Sequence, residues 1–263
     1  MPKAVRIKRA KALYVSSSIA KILSDYLLKK GMDKQRLNET LECCYDELDT
    51  SDFRLKISSY QALWSMALEY TQEPALGLKL AQNPYNDEMG LVAHIFFNSP
   101  TLLLGLKQYE RYYSLVNEGM HIELETDDHF AYINYISDFD DAYCQADMEH
   151  TLAISILRVK QNISESLDLE FVHFQHSEPE DISLYQEIFP CPIKFGQACC
   201  ALIFKKEYLD YNLPKHSAYL YKLLTHHIES LLKKIRPTPT FTNKVKELLE
   251  KHLSKDAVDA EHI

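Results

Sequence analysis

The residue types able to do chemistry gather in few places. Asp138, Asp140, Asp141 and Asp147 form the densest acidic segment. Carboxylates bind metals or move protons when they converge in a pocket. These fall in one polar loop between a predicted strand and a predicted helix. There the plainer reading is a solvated loop whose charge favours the following helix N-terminus. His173 and His176 lie three apart on a predicted strand. Side chains alternate between strand faces, so this pair cannot hold one metal while the strand stays regular. His226 and His227 are adjacent on a helix and diverge. The six cysteines are Cys43, Cys44, Cys144, Cys191, Cys199 and Cys200, two adjacent pairs with no C-x-x-C spacing. That suits neither a metal site nor a disulfide framework, and they read mostly as small buried hydrophobes. G-x-S-x-G, H-E-x-x-H, G-x-G-x-x-G and the P-loop pattern are all absent from the sequence. The expectation is a protein that is not an enzyme and needs no cofactor or metal.

Binding is better represented. The chain has 17 Tyr and 11 Phe. Tyr combines an apolar body with a polar tip, which suits a small-molecule pocket, although most of these rings must fill the core. Arg111 and Arg158 are, with Arg54, the arginines between residues 41 and 204, and both fall on segments predicted to pack. Each is a candidate counter-charge for an anionic ligand; an ion pair with a nearby carboxylate is the alternative. Tyr221, Leu224, Ile228, Leu231 and Ile235 step 3-4-3-4 like the seam of a short coiled coil. Such a seam makes a homodimer if it is intermolecular. If it is not, the helix packs on its own domain.

At 263 residues with 46% hydrophobic and 25% charged side chains, the composition is that of a globular protein with an ample core. No apolar run reaches membrane-spanning length, and no long apolar stretch follows the basic start Met1–Arg9. The cytoplasm is therefore the expected compartment. The net charge of −9 is unevenly spread. Residues 1–40 carry +7, residues 41–204 carry −19, residues 205–255 carry +6 and the last eight carry −3. The middle would repel a phosphate backbone, leaving only the two ends to approach DNA or an acidic partner.

Apolar spacing predicts helices over about 16–30 (stopped by Gly31), 33–44, 58–72, 75–81, 91–97, 101–113, 145–163, 185–189, 217–235 and 241–253. The third carries the stripe Tyr60, Leu63, Trp64, Ala67 and Leu68, and Ser99-Pro100 reads as the N-cap and first residue of the sixth. Helix 145–163 is apolar on more than one side, as if held between two layers. Residues 46–54 read as a polar turn, and Asn83-Pro84 closes the fourth helix. Period-two alternation predicts a hairpin over 120–125 and 130–136 around Asp127-Asp128, with further strands at 169–175, 193–195 and 201–204. Two closely spaced prolines make 236–240 a linker. The fold class is α+β: a helical amino-terminal third, a mixed middle with a small antiparallel sheet, and carboxy-terminal helices.

The ordered series of motifs resembles a known family. Leu76–Leu80, Gly90–Leu102 and Arg111-Tyr112, then His173–Pro179, Tyr185, Phe189–Phe195 and Leu209–Pro214, look like the two halves of an effector domain. The family is the AraC-type transcription regulators, in the branch with an arabinose-binding-like amino-terminal domain, over about residues 15–235. Phe241–His252 is similar to the helix that opens the family's DNA-binding domain, whose helix-turn-helix units would lie beyond Ile263. The resemblance implies a basic tail (1–14), an effector-binding domain (15–215), a dimerisation helix (216–235), the linker, and the truncated start of a DNA-binding domain (241–263). It also implies transcriptional control through a small-molecule effector of unidentified class and a homodimer, with DNA reached only through the missing domain. By the same analogy the ligand contacts are Arg111, Tyr112, Tyr132, Tyr135, Arg158, His173 and His176. Two other readings stay open: a stand-alone module that pairs with a full-length regulator and blocks it, and an enzyme using the Asp138–Asp147 cluster or His176.

Overall fold

The computed structural model describes residues 12–50, 53–82, 90–138 and 144–235. The basic start Met1–Arg9, the Asn83-Pro84 stop, Asp140, Asp141, the linker 236–240 and the helix predicted at 241–253 all lie outside these residues.

The first third is helical for local reasons. Ser16 caps α1 (Ser17–Lys29) by accepting from the Ser18 N–H. Gly31 ends that helix at φ +90°, a conformation that costs glycine nothing, with its N–H donating to the Leu28 carbonyl. Asp33 caps α2 (Lys34–Leu41), accepting from the Arg36 N–H at 3.0 Å. Helix α3 (Ile57–Thr71) buries Tyr60, Leu63, Trp64 and Ala67, while Leu68 of the expected stripe stays exposed. A short 3-10 turn over Tyr45–Asp49 follows α2. Part of the expected polar turn is in fact a strand. β1 (Tyr14–Ser16) and β2 (Arg54–Lys56) pair antiparallel, three residues each, too short to show alternation in sequence.

Three more helices, α4 (Leu76–Ala81), α5 (Leu91–Phe97) and α6 (Leu102–Tyr112), lead into the sheet. Helix α6 starts later than expected. Thr101, not Ser99, caps it, accepting from the Leu104 N–H at 3.3 Å. Thr101 also forms a β-bridge with Asn212, which keeps the backbone extended up to that point.

The sheet has strand order β3 (Met120–Thr126), β4 (Phe130–Ser137), β7 (Cys200–Lys205), β5 (Leu169–His173), β6 (Ile193–Lys194). Its neighbours pair antiparallel except β5 and β6, which run parallel. The β3–β4 hairpin runs in register from Met120↔Ser137 to Thr126↔Ala131. Asp127 closes it by accepting from the N–H groups of His129 and Phe130. On β4, Ala131, Ile133 and Tyr135 turn inward. Helix α7 (Gln145–Asn162) crosses between layers, α8 (Ser183–Ile188) covers one end, and α9 (Ala218–Ile235) closes the described chain.

Two large cores result. One joins the sheet to α6 and to Met148, Leu152, Ala153 and Ile156 of α7. The other lies among α1–α4 and takes in Ala146 of α7. A third, smaller cluster seats Ile228 of α9, with no exposed surface, against Val92, Ile95, Tyr112 and Leu115. The cysteines depart from expectation: none of the six forms a disulfide, but only Cys200 is fully buried and Cys44 is exposed.

The two large cores meet where α4 lies on α7. A Cβ added at Gly77 would sit 2.0 Å from the Ala146 carbonyl oxygen and 3.0 Å from the Glu149 Cβ. Backbone cannot yield as a flexible side chain would. Gly77→Ala should therefore lower the thermal midpoint by several degrees, a loss of about 2–3 kcal/mol, measured by circular-dichroism melting beside Gly196→Ala. A Cβ at Gly196 meets nothing within 4 Å, but its φ of +65° makes that control strained in backbone alone.

Candidate functional site

A cavity of about 660 Å³ opens where the two large cores, α5–α6 and α9 come together. That volume falls within the range of small-molecule sites. Its walls are mainly apolar and aromatic: Phe96, Phe97, Leu102 and Leu106 on one side, and Ile133, Tyr135, Leu202 and Phe204 of the sheet on the other. Tyr109, Tyr113 and Tyr135 meet edge to face, with centroids 5.2–6.5 Å apart. Two residues of α9, His227 and Leu231, also reach it.

Polar groups enter along one face of α7. Asp147, Thr151, Ser155 and Arg158 line the cavity at spacings of four, four and three, the period of a helix face, with His150 beside Thr151. Asp147 is 8% exposed and accepts a hydrogen bond from the Tyr60 hydroxyl at 2.6 Å. Burial pushes its pKa up to about 6, against the pull of the Tyr60 hydroxyl and the Trp64 N–H. Trp64 Nε1 is buried and makes no hydrogen bond of normal geometry. His150 is 6% exposed; burial, and after it the Arg158 charge, depress its pKa to about 3, so its ring is neutral. Its Nε2 is buried without a hydrogen-bond partner. The Tyr135 hydroxyl reaches Ser155 Oγ at 3.3 Å.

The residues grouped from sequence as ligand contacts separate in space. Tyr135 and Arg158 line the cavity; the other five are not among its walls. Tyr132 is three residues from Tyr135 on a strand, so it faces the other way and donates to Asp127 Oδ2 at 2.7 Å. Arg111 and Tyr112 both reach Glu229 of α9, at 2.5 and 2.6 Å. His173 lies past the centre of the sheet, its pKa lowered by burial and by Lys194. His176 packs on Phe174, Tyr185 and Phe195, with Nε2 3.6 Å from Glu149 Oε1. Glu149 also accepts from the Tyr185 hydroxyl and from Gln145. Strand β5 ends at His173, so His176 is not on it as expected, and the two histidines have different neighbours.

Of the acidic cluster, Asp138 accepts from His121 at 2.6 Å on the surface. Asp147 belongs to no solvated loop; it is the buried carboxylate of the cavity. No group of three or more metal-ligating side chains occurs among the described residues. Nor is any helix among them long and apolar enough to cross a membrane.

The five-residue seam on α9 is turned inward in part. Tyr221, Leu224 and Ile228 pack on α5 and α6 of the same chain, Tyr221 accepting from Gln108 at 2.6 Å, and Leu231 meets the cavity. The side chain of Ile235 lies outside what is described. The open face of α9 carries Tyr219, Leu220 and Leu223, 77%, 42% and 53% exposed.

Comparison with known proteins agrees with this architecture. Residues 31–213 match the family described as the arabinose-binding domain of AraC transcription regulators, amino-terminal, and the chain belongs to that family. It is 22% identical over 236 residues to an ornithine utilization regulator of Pseudomonas aeruginosa, covering 89% of this chain and 70% of that one. Its fold matches the crystal structure of the transcriptional regulator CdpR from Pseudomonas aeruginosa with a TM-score of 0.61 at 13% identity, over 92% of this chain and 72% of that one. The fold and these likenesses define an effector-binding regulatory domain, and the named relatives are transcription regulators.

Asp147 makes a pH-dependent cost visible. Its folded pKa of about 6 lies above its ordinary 3.8, so the folded state binds the proton more tightly. Stability falls as pH rises from about 4 to 6 and stays lower above. Asp147→Asn keeps an acceptor for Tyr60 and removes the charge. It should raise stability at pH 8 by roughly 1–3 kcal/mol, a gain that vanishes below about pH 4. Paired melting curves at the two pH values check this; His150 titrates in both proteins and cancels in the difference.

Proposed function

We propose that this chain is the effector-sensing region of a cytoplasmic AraC-type transcription regulator. A small molecule occupies the cavity, and occupancy is coupled to a DNA-binding domain of the regulator through α9. The observation that carries this reading is the cavity itself, apolar and aromatic but crossed by the polar face of α7. Tyr135 and Arg158 stay as ligand contacts from the sequence, joined by Asp147, His150, Tyr109 and Tyr113.

Helix α9 is suited to the coupling. His227 and Leu231 face the ligand space, Ile228 is locked into the body, and Arg111 and Tyr112 hold Glu229. A ligand that prefers one placement of α9 shifts its population by its difference in affinity for the two. The same helix offers Tyr219, Leu220 and Leu223 for homodimerisation, the face left when Tyr221, Leu224 and Ile228 are spent within the chain.

Native mass spectrometry of the purified protein tests the sensor reading. The expected result is a bound small molecule that is lost from an Ile154→Trp variant, in which the larger ring fills the cavity. A species of bare polypeptide mass, together with no binding by a small-molecule panel, would overturn it. Leu223→Glu should convert dimer to monomer in light scattering; a variant that stays dimeric would place the interface elsewhere.

A further inference from the structure

We infer that the ligand of this cavity carries a compact protonated amine, and that the Asp147 carboxylate receives it. This rests on the sensor reading above and names the chemistry of its ligand.

The first observation is an unmatched charge. Asp147 is buried, and the groups that reach it are neutral: the Tyr60 hydroxyl, which donates to it at 2.6 Å, and the nearby Trp64 N–H. Buried charges are ordinarily paired. The cations that line the cavity are committed or distant. Lys21 is held by Asp25 and Asp49 at 3.3 and 3.0 Å. Arg54 is held by Glu118 and by the carbonyls of Tyr14, Ser114 and Leu115. Arg158 stands eleven residues along α7, about 16 Å away at helical rise.

The second observation is independent of the first. His150, one turn further along the same face, is a neutral imidazole with a buried nitrogen that lacks a partner. An ammonium brings three N–H donors, enough for the carboxylate and for a second acceptor. The third is the wall: Tyr109, Tyr113 and Tyr135 line the space, and aromatic rings attract a cation that comes to rest over them. A carboxylate ligand would meet Asp147 as a like charge. An uncharged one would leave that charge unmatched. The net −19 over residues 41–204 draws cations toward this part of the chain.

The chain contains one tryptophan, Trp64, whose ring centroid lies 6.3 Å from that of His150, so its fluorescence reports on this corner. The test is a fluorescence titration at pH 8 with n-hexylamine, hexan-1-ol and hexanoate, on the natural protein and on Asp147→Asn. Hexylamine should bind the natural protein at least tenfold more tightly than hexan-1-ol, with hexanoate weakest. In Asp147→Asn the amine-to-alcohol ratio should fall to near one, while cooperative thermal unfolding at pH 8 shows the variant folded. Hexan-1-ol binding as tightly as hexylamine, or a variant that keeps the amine preference, would overturn the assignment while leaving the sensor reading in place. Failure of all three probes to bind the natural protein would also overturn the amine assignment, while the sensor reading falls only with the native mass spectrometry and panel result above.

Discussion

Gly77 lets α4 lie against the Ala146 carbonyl more closely than any side chain would allow, and that contact fixes where α7 runs. From there α7 serves three neighbours at once. Ala146 completes the core of α1–α4. Met148, Leu152, Ala153 and Ile156 complete the core on the sheet. The remaining face, from Asp147 to Arg158, is left to the cavity. With 3.6 residues per turn the side chains of α7 point all round its axis, so packing two sides leaves a third, and here that third side carries polar groups. The cavity therefore follows from the placement of α7 between two finished cores.

The elements were legible because each has a local cause. Gly31 and Asp33 announce helix ends by conformation and capping. The hairpin at Asp127 is announced by alternation and a turn residue. What escaped was tertiary. β1 and β2 exist through pairing with each other and, for β1, through a bridge from Val15 to Asn117, and three residues hold no periodic signal. Thr101 caps α6 in place of Ser99 because of a bridge to Asn212, more than a hundred residues away.

The site was half legible. Tyr135 and Arg158 were singled out, but grouping Tyr132 with Tyr135 ignored the alternation already used to separate His173 from His176. Asp147 was read as part of an acidic loop because sequence neighbours hid its place in the first turn of α7. A signal was present nonetheless: Asp147, His150, Thr151, Ser155 and Arg158 repeat at helical spacing through a segment otherwise apolar on several sides. Tyr60 and Trp64 carried no signal, since a tyrosine and tryptophan on a buried stripe look the same whether or not a carboxylate waits across the gap.

The α9 seam shows how one pattern serves two ends. A 3-4 repeat marks an apolar stripe and says nothing of what lies against it. Here the stripe is used inside the chain, with Ile228 fully buried and the Tyr112 hydroxyl tied to Glu229. A helix clamped in this way cannot move freely at its middle, so a ligand touching His227 and Leu231 acts on a lever that is already fixed at one point. The costs that sustain the site lie elsewhere, on α7. A buried carboxylate without a cation and a buried imidazole nitrogen without a partner both reduce stability. They sit one turn apart on the face that opens to empty volume, whereas the other buried carboxylate of the helix, Glu149, faces away from the cavity and accepts from the Tyr185 hydroxyl and the Gln145 amide. Strain confined in this way to one face is what a binding site requires, because a ligand recovers free energy only where the empty protein has left it unspent.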